Sequence, residues 1–264
     1  MVKGIRSVRS DGNPTPRVAE VTGGMLNAIG LQGPGVEKFL HGDHYLPYLR
    51  QTNAAVIVNI WGKSIVDYCE VARRMDEDRE GITALEVNIS CPNVKAGGVA
   101  FGTDTKLLNE VISAVRKATT LPLIVKLSPN VTKIGDFAKA AEDAGADAVS
   151  LINTLTGMAI NAETRKPKIA NLTGGLSGPA VKPVALRMVY EASKAVTIPV
   201  IGMGGICNGI DAVEFMLAGA KAVAVGTATF TDPYAPLKVI DGIEDYLKRH
   251  NYKSVSEIVG ALEV

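Results

Sequence analysis

Cysteine is scarce: three residues in 264, at Cys69, Cys91 and Cys207. Scattered in this way they form neither a disulfide framework nor a zinc cluster. Charge of one sign is also lacking. Lys and Arg number 28 against 27 Asp and Glu, a formal net charge of +1. That balance removes the electrostatic ground for expecting nucleic acid or an anionic membrane as a partner. No apolar run approaches the roughly 18 residues of a membrane helix. The basic opening stretch, Met1 to Arg9, has no apolar core of the secretory-signal kind. A reducing, cytoplasmic setting is the expectation. Aromatics make up only 5% of the chain.

Glycine is plentiful by contrast. There are 27, and they gather at Gly97-Gly98, Gly174-Gly175, Gly202, Gly204-Gly205 and Gly226. Such clusters mark tight turns or places where backbone approaches a ligand. Between them, short β-branched runs alternate with longer amphipathic stretches. The runs are 55–60, 84–89, 122–127, 148–153, 199–203 and 222–226. Near-continuous apolar runs of this length suit parallel strands buried on both faces. Helical spacing follows at Ile65, Tyr68, Cys69, Ala72 and Met75, after a Ser64-x-x-Asp67 capping signature. It recurs at Leu107, Leu108, Val111, Ile112 and Val115, and in four later stretches. A second capping pair, Ser254-x-x-Glu257, starts a short terminal helix.

The chain also echoes itself. Ala144-Gly145-Ala146-Asp147-Ala148-Val149 and Ala218-Gly219-Ala220-Lys221-Ala222-Val223 each read as a helix end, a glycine turn and a strand start. Six or more βα units predict a parallel α/β fold. No linker or composition shift divides the chain, so residues 1–264 are read as one domain. Asn59, Asn88, Lys126, Asn153 and the glycine clusters all fall at C-terminal ends of different strands. A (β/α)8 TIM barrel gathers those ends into one site, whereas an open doubly wound sheet uses mainly its switch point. The barrel is therefore favoured.

The densest chemical signal is Asn88-Ile89-Ser90-Cys91-Pro92-Asn93-Val94-Lys95-Ala96-Gly97-Gly98. Pro92 ends the strand at Cys91 and so puts a thiol at a strand's C-terminal mouth. A thiol with an ordinary pKa near ~8.5 can act as general base or nucleophile. It can equally be a small buried hydrophobe. Lys126, inside an apolar strand, has no easy surface explanation. Trp61, just past a strand end, either lines the site or caps the fold. Cys69 is read as core, Cys207 as packing, and His41, His44 and His250 as solvated. No metal site is read.

The Cys91 segment resembles the catalytic loop of class 1 dihydroorotate dehydrogenases, their 1B branch in particular. Other segments agree in order and spacing along the whole chain. They include Gly12-Asn13-Pro14-Thr15-Pro16-Arg17, Asn27-Ala28-Ile29-Gly30-Leu31-Gln32 and Val125-Lys126-Leu127-Ser128-Pro129-Asn130. Ile152-Asn153-Thr154, Thr173-Gly174-Gly175-Leu176-Ser177-Gly178-Pro179, Gly202-Met203-Gly204-Gly205-Ile206 and Val225-Gly226-Thr227 complete the set.

The resemblance implies oxidation of dihydroorotate to orotate by FMN inside a (β/α)8 barrel, a step of pyrimidine biosynthesis. It implies that Cys91 removes the C5 proton while the C6 hydride passes to flavin N5. Lys3, Asn27, Ala28, Ile29, Gly30, Leu31, Asn88, Asn93, Asn153 and Thr154 would hold the substrate. Lys3, Gly4, Asn59, Asn88, Lys126 and Ile152 would hold the flavin ring, with Lys126 as a cation against reduced flavin. Gly178, Gly204, Gly205, Gly226 and Thr227 would cradle the phosphate, in keeping with the phosphate sites of barrels. Class 1B members pair with an electron-transfer subunit carrying FAD and an iron–sulfur cluster that passes electrons to NAD. A homodimer of this chain is the accompanying expectation. In the family a first strand, a flavin loop and most of a second strand precede the lysine matched by Lys3, so a barrel lacking its opening βα unit is expected here. Two competing readings are another FMN- or phosphate-binding barrel enzyme and a truncated non-catalytic chain.

Overall fold

A computed structural model describes residues 1–90, 95–96 and 99–263, with 95–96 and 99–100 described by backbone alone. In chain order its first elements are β1 (Val2–Ile5), β2 (Val18–Val21), β3 (Gly24–Asn27), α1 (Val36–His41), α2 (Leu46–Arg50), β4 (Ile57–Ile60) and α3 (Ile65–Glu77). Then come β5 (Ala84–Asn88), β6 (Lys95–Ala96), β7 (Val99–Ala100), α4 (Thr105–Ala118), β8 (Leu123–Lys126), α5 (Ile134–Asp143) and β9 (Ala148–Leu151). The remainder are β10 (Leu155–Met158), β11 (Ile160–Asn161), β12 (Lys166–Pro167), β13 (Thr173–Ser177), α6 (Lys182–Ala195), β14 (Val200–Met203), α7 (Gly209–Leu217), β15 (Ala222–Ala224), α8 (Ala228–Thr231) and α9 (Ala235–Arg249). Two compact units result. The first holds Met1–Asn13, Ile29–Leu127 and Lys139–Val149; the second holds Pro14–Ala28, Ser128–Ala138 and Ser150–Val264.

The first unit is built on parallel strands in the order β1-β4-β5-β8. Its apolar runs account for them: all five residues of β5 are buried, as are Leu123, Ile124 and Val125 of β8. Helix α3 begins where Ser64 accepts the Asp67 N–H at 3.2 Å. Its inward stripe of Tyr68, Val71, Ala72 and Met75 is fully buried, each large side chain contributing about 1.5–3 kcal/mol. The Asp67 carboxylate does not close a capping box. It accepts the Arg6 guanidinium at 2.8 Å, the Lys63 N–H at 2.9 Å and the Ser7 hydroxyl, so it ties the start of α3 to the segment leaving β1. Burial raises the pKa of this carboxyl, but the bonds from Ser7, Arg6 and Lys63 outweigh burial and hold it below its ordinary value. Helix α4 is capped by Asp104, which accepts from Lys106 and Leu107, and buries Leu108, Val111, Ile112 and Val115.

In the second unit β14 and β15 pair in parallel, and α7 opens with a full capping box between Asn208 and Asp211. The unit also holds an antiparallel sheet in the order β10-β13-β3-β2. Sequence patterning predicts only parallel βα units and misses this sheet. Gly24, Gly157, Gly174 and Gly175 dilute its strands, and glycine weakens any propensity signal. Their role is close approach: a Cβ on Gly24 would lie 2.0 Å from the Ser177 carbonyl oxygen.

The internal echo is a repeated helix-to-strand joint. Gly145 and Gly219 both take left-handed backbone, with φ +95° and +112°. The next N–H reaches back to the helix in each case, Ala146 to Ala141 at 3.1 Å and Ala220 to Phe215 at 2.9 Å. These are Schellman-type closures. One residue on, Asp147 and Lys221 donate to Leu123 and Val200, both at 2.8 Å, at the starts of β8 and β14.

Candidate functional site

The expected site residues divide between the two units. Lys3, Gly4, Ile29, Gly30, Leu31, Asn59, Asn88 and Lys126 belong to the first. Asn27, Ala28, Ile152, Asn153, Thr154, Gly178, Gly204, Gly205, Gly226 and Thr227 belong to the second. Cys91 and Asn93 lie outside the described residues.

In the first unit, three neighbouring strands bring together a polar cluster within an apolar sheet. Asn59 stands opposite Glu86, and Asn88 opposite Lys126. Glu86 and Asn88 are two residues apart and so share one face of β5. Glu86 is fully buried. Its Oε2 accepts from Asn59 Nδ2 at 2.5 Å and lies 4.0 Å from the Lys126 ammonium. A buried carboxylate is costly unless paired and hydrogen-bonded, and these two side chains supply that compensation. Sequence reading singles out Asn59 and Lys126 but misses Glu86. The available signal is a charged residue inside the apolar run 84–89, two positions before Asn88. Asn88 is itself pinned. Its carbonyl accepts from Tyr68 Oη at 2.7 Å, and its side-chain oxygen accepts from Ser90 Oγ at 2.7 Å. Its amide N–H2 is then the group it can offer.

Gly4 sits against this cluster. A Cβ there would lie 2.9 Å from Asn59 Oδ1 and 3.1 Å from the Trp61 ring. Trp61 is buried, and its indole N–H has no hydrogen-bond partner among the described residues. The Arg6 guanidinium stacks over that ring at 5.3 Å. A buried orphan donor beside a glycine is a feature a polar ligand would satisfy. Lys3 is exposed on β1. Gly30 and Leu31 are left-handed, at φ +79° and +54°, and the Asn13 N–H donates to the Ile29 carbonyl at 3.0 Å.

In the second unit, Asn27 ends β3 and donates to the Gly175 carbonyl at 3.3 Å. The neighbouring Ala28 N–H donates to the Arg17 carbonyl at 2.8 Å. Ile152 donates its N–H to Met203 at 2.9 Å, joining the exit of β9 to that of β14. The Asn153 side chain accepts the Thr154 N–H at 2.9 Å. Asn130 brackets the same segment, donating to the Thr154 carbonyl at 3.3 Å and accepting the Thr156 N–H at 3.0 Å.

The glycines of this unit form a second cluster. Gly178, Gly204 and Gly205 are left-handed, at φ +100°, +127° and +82°. A Cβ on Gly205 would fall 2.8 Å from Lys182 Cβ and 2.9 Å from the Gly178 carbonyl oxygen. The register Met203↔Ala224 carries Gly204-Gly205 and Val225-Gly226 off the ends of adjacent strands. Gly226 faces open space, with no heavy atom within 4 Å of a Cβ built on it. Thr227 follows as the N-cap of α8. Backbone of this kind, with no side chain in the way, can aim N–H groups at an anion. This glycine set fits a phosphate group, and the amide-rich cluster of the first unit fits a planar heterocycle.

The other titratable candidates carry less. Cys69 and Cys207 are half-buried. Burial pushes both thiols up, and the Asp211 carboxylate adds to this at Cys207 against an opposing pull from Lys182. Both stay protonated at neutral pH. Among the described residues no group of three or more His, Cys, Asp or Glu side chains is placed to hold a metal ion. Among them, too, no helix is long and apolar enough to cross a membrane.

Residues 1–247 match the family described as dihydroorotate dehydrogenase. The catalytic subunit of dihydroorotate dehydrogenase B (NAD(+)) from a Geobacter species is 58% identical over 262 residues, covering 99% of this chain and 85% of the relative. The corresponding subunit from Bacteroides fragilis is 58% identical over 264 residues, 100% of this chain and 86% of the relative. A crystal structure of the Eimeria tenella enzyme in complex with ferulenol superposes with a TM-score of 0.80 at 24% identity, covering 98% of this chain and 77% of that one. At that identity the likeness shows the fold alone, that of the α/β barrel class.

Proposed function

The chain belongs to the dihydroorotate dehydrogenase family, and from that premise we propose that it oxidises dihydroorotate to orotate in pyrimidine biosynthesis as the catalytic subunit of a class 1B enzyme. The observation that carries this reading is the 58% identity to NAD-linked catalytic subunits over almost the whole chain. The alternatives, another FMN- or phosphate-binding barrel enzyme and a truncated non-catalytic chain, are not favoured by these relatives.

The family uses a flavin, and each cluster taken by itself has chemistry suited to a part of FMN. Gly178, Gly204, Gly205, Gly226 and Thr227 would hold the phosphate. Gly4, Asn59, Asn88, Lys126 and Ile152 are the residues that would hold the ring, and Lys3 would serve both ring and substrate. Bound FMN supplies the two-electron acceptor for the hydride that leaves C6 of the substrate.

The chain's own residues do the rest. Cys91, as thiolate, takes the C5 proton. The C5–H electron pair then becomes the C5=C6 bond as the hydride departs, which balances the oxidation. Asn27, Asn88, Asn93, Asn153 and Thr154 would read the amide and imide edges and the carboxylate of the substrate, with Ala28, Ile29, Gly30 and Leu31 as further substrate contacts. Lys126 places a cation where negative charge develops, and pre-oriented charge is the efficient way to lower such a barrier. Glu86 holds Lys126 and Asn59 in place from beneath.

Residues 1–264 act as one FMN-binding domain, cytoplasmic and paired as a homodimer. An electron-transfer subunit with FAD and an iron–sulfur cluster carries the electrons on to NAD. The test is to load the purified chain with FMN and add dihydroorotate without oxygen. The oxidised flavin absorbance should fall as one equivalent of orotate forms, and lactate or other 2-hydroxy acids should leave it unchanged. Loaded protein whose flavin stays oxidised with dihydroorotate would sink the proposal.

A further inference from the structure

The turn that leaves β14 runs from Gly204 to Asn208 before entering α7. Two side chains outside the expected site clasp it. Asp211, in the first turn of α7, spends one carboxylate oxygen on the backbone. Its Oδ2 accepts the Cys207 N–H at 2.9 Å and the Asn208 N–H at 3.2 Å. Its Oδ1 accepts the Lys182 ammonium at 2.6 Å. Asn208 returns the contact by accepting the Asp211 N–H at 3.0 Å. Lys182 opens α6 on the other side of the turn, and its Cβ lies 2.8 Å from where a Gly205 Cβ would go. Glu214, on α7, holds the same ammonium at 2.8 Å. The clasp is half-buried, with side-chain exposures of 26% for Lys182 and 12% for Asp211. Burial raises the Asp211 pKa, but the ammonium and the two N–H donors hold this carboxyl below its ordinary value.

Glycine permits left-handed backbone but does not enforce it. Gly204 and Gly205 would be free to leave their conformation, and ordering them on binding would cost affinity. The clasp removes that freedom. It ties down the two N–H groups just past the glycines and wedges a lysine stem against Gly205. We infer that Lys182 and Asp211 are positioning residues for the phosphate end of FMN: they hold the Gly204-Gly205 turn in its anion-binding shape without touching a reacting atom. The inference rests on the assignment of the phosphate to these glycines.

The test uses the full chain freed of flavin, with FMN and riboflavin as ligands and flavin fluorescence as the readout. Riboflavin shares the ring and lacks the phosphate. Asp211→Asn and Lys182→Met should each weaken FMN by about tenfold or more and leave riboflavin affinity unchanged, and Lys182→Arg should restore most of the loss. Circular dichroism confirms that each variant is folded, and Glu214→Gln, at the edge of the clasp, stands in if either is not. Equal losses for FMN and riboflavin, or no loss for either, would overturn the clasp. Should the wild-type chain bind FMN and riboflavin alike, the phosphate assignment fails, and the clasp falls with it.

Discussion

Two polar clusters, one in each compact unit, meet the demands of a ligand by opposite means. In the first unit the work is done by side chains. Glu86, Asn59, Lys126 and Asn88 stand on neighbouring strands, and a fully buried carboxylate is made tolerable by an amide and an ammonium. In the second unit it is done by backbone. Gly178, Gly204 and Gly205 hold left-handed conformations, and Gly226 opens to empty space. The difference teaches where each cluster is vulnerable. A side-chain cluster is damaged by losing a partner, because the remaining charge is stranded. A glycine cluster is damaged by gaining an atom.

Mutations can break or sharpen this contrast. The largest effect belongs to Glu86→Ala, which leaves the Asn59 amide and the Lys126 ammonium without their shared carboxylate. Urea unfolding should show a loss of about 3–5 kcal/mol, with reduction of bound flavin slowed as well. A loss below about 1 kcal/mol would mean that the pair behaves like a surface ion pair. Next is Gly205→Ala, which adds a Cβ at φ +82° and 2.8 Å from Lys182 Cβ. It should cost roughly 1–3 kcal/mol of stability and, unlike Glu86→Ala, weaken FMN far more than riboflavin.

The smallest is Asp76→Asn, which takes part in neither cluster. Asp76 accepts from Thr119 Oγ1 and the Thr120 N–H, both at 2.8 Å, and from the Leu121 N–H at 3.2 Å, stitching α3 to the turn before β8. Burial raises its pKa, but those bonds outweigh it and the folded value lies below the ordinary one. Its stabilisation is therefore complete above the unfolded pKa of about 3.9 and is lost as pH falls through the lower folded value. Asp76→Asn should cost about 1–2 kcal/mol at pH 7, nothing in strongly acidic solution, and no FMN affinity. Melting curves across pH 2–7 check this.

Much of this contrast is legible in the sequence, and the exceptions have physical causes. The parallel strands announce themselves because burial on both faces demands apolar runs. The joints at Gly145 and Gly219 do so because only glycine suits that backbone. Lys126 stands out by being charged where its neighbours are not. Glu86 obeys the same rule but sits mid-strand, where a charge is easily taken for the outward face of a half-buried strand. The antiparallel sheet is invisible because Gly24, Gly157, Gly174 and Gly175 are chosen for close backbone approach and erase the alternation that would reveal it. Asp211 looks like an ordinary helix-capping residue, since its tie to Lys182 joins two helices 29 positions apart. Cys91, the clearest chemical signal in the sequence, lies outside the described residues, and its role rests on the segment in which it stands.

The most direct test is therefore a single anaerobic turnover of the FMN-loaded chain and its Cys91→Ala variant, followed by flavin absorbance. The wild-type flavin should bleach on mixing with dihydroorotate, and the variant should hold its flavin yet stay oxidised. Bleaching of the variant at the wild-type rate would contradict Cys91 as the base, and an unbleached wild type would contradict the assigned reaction itself.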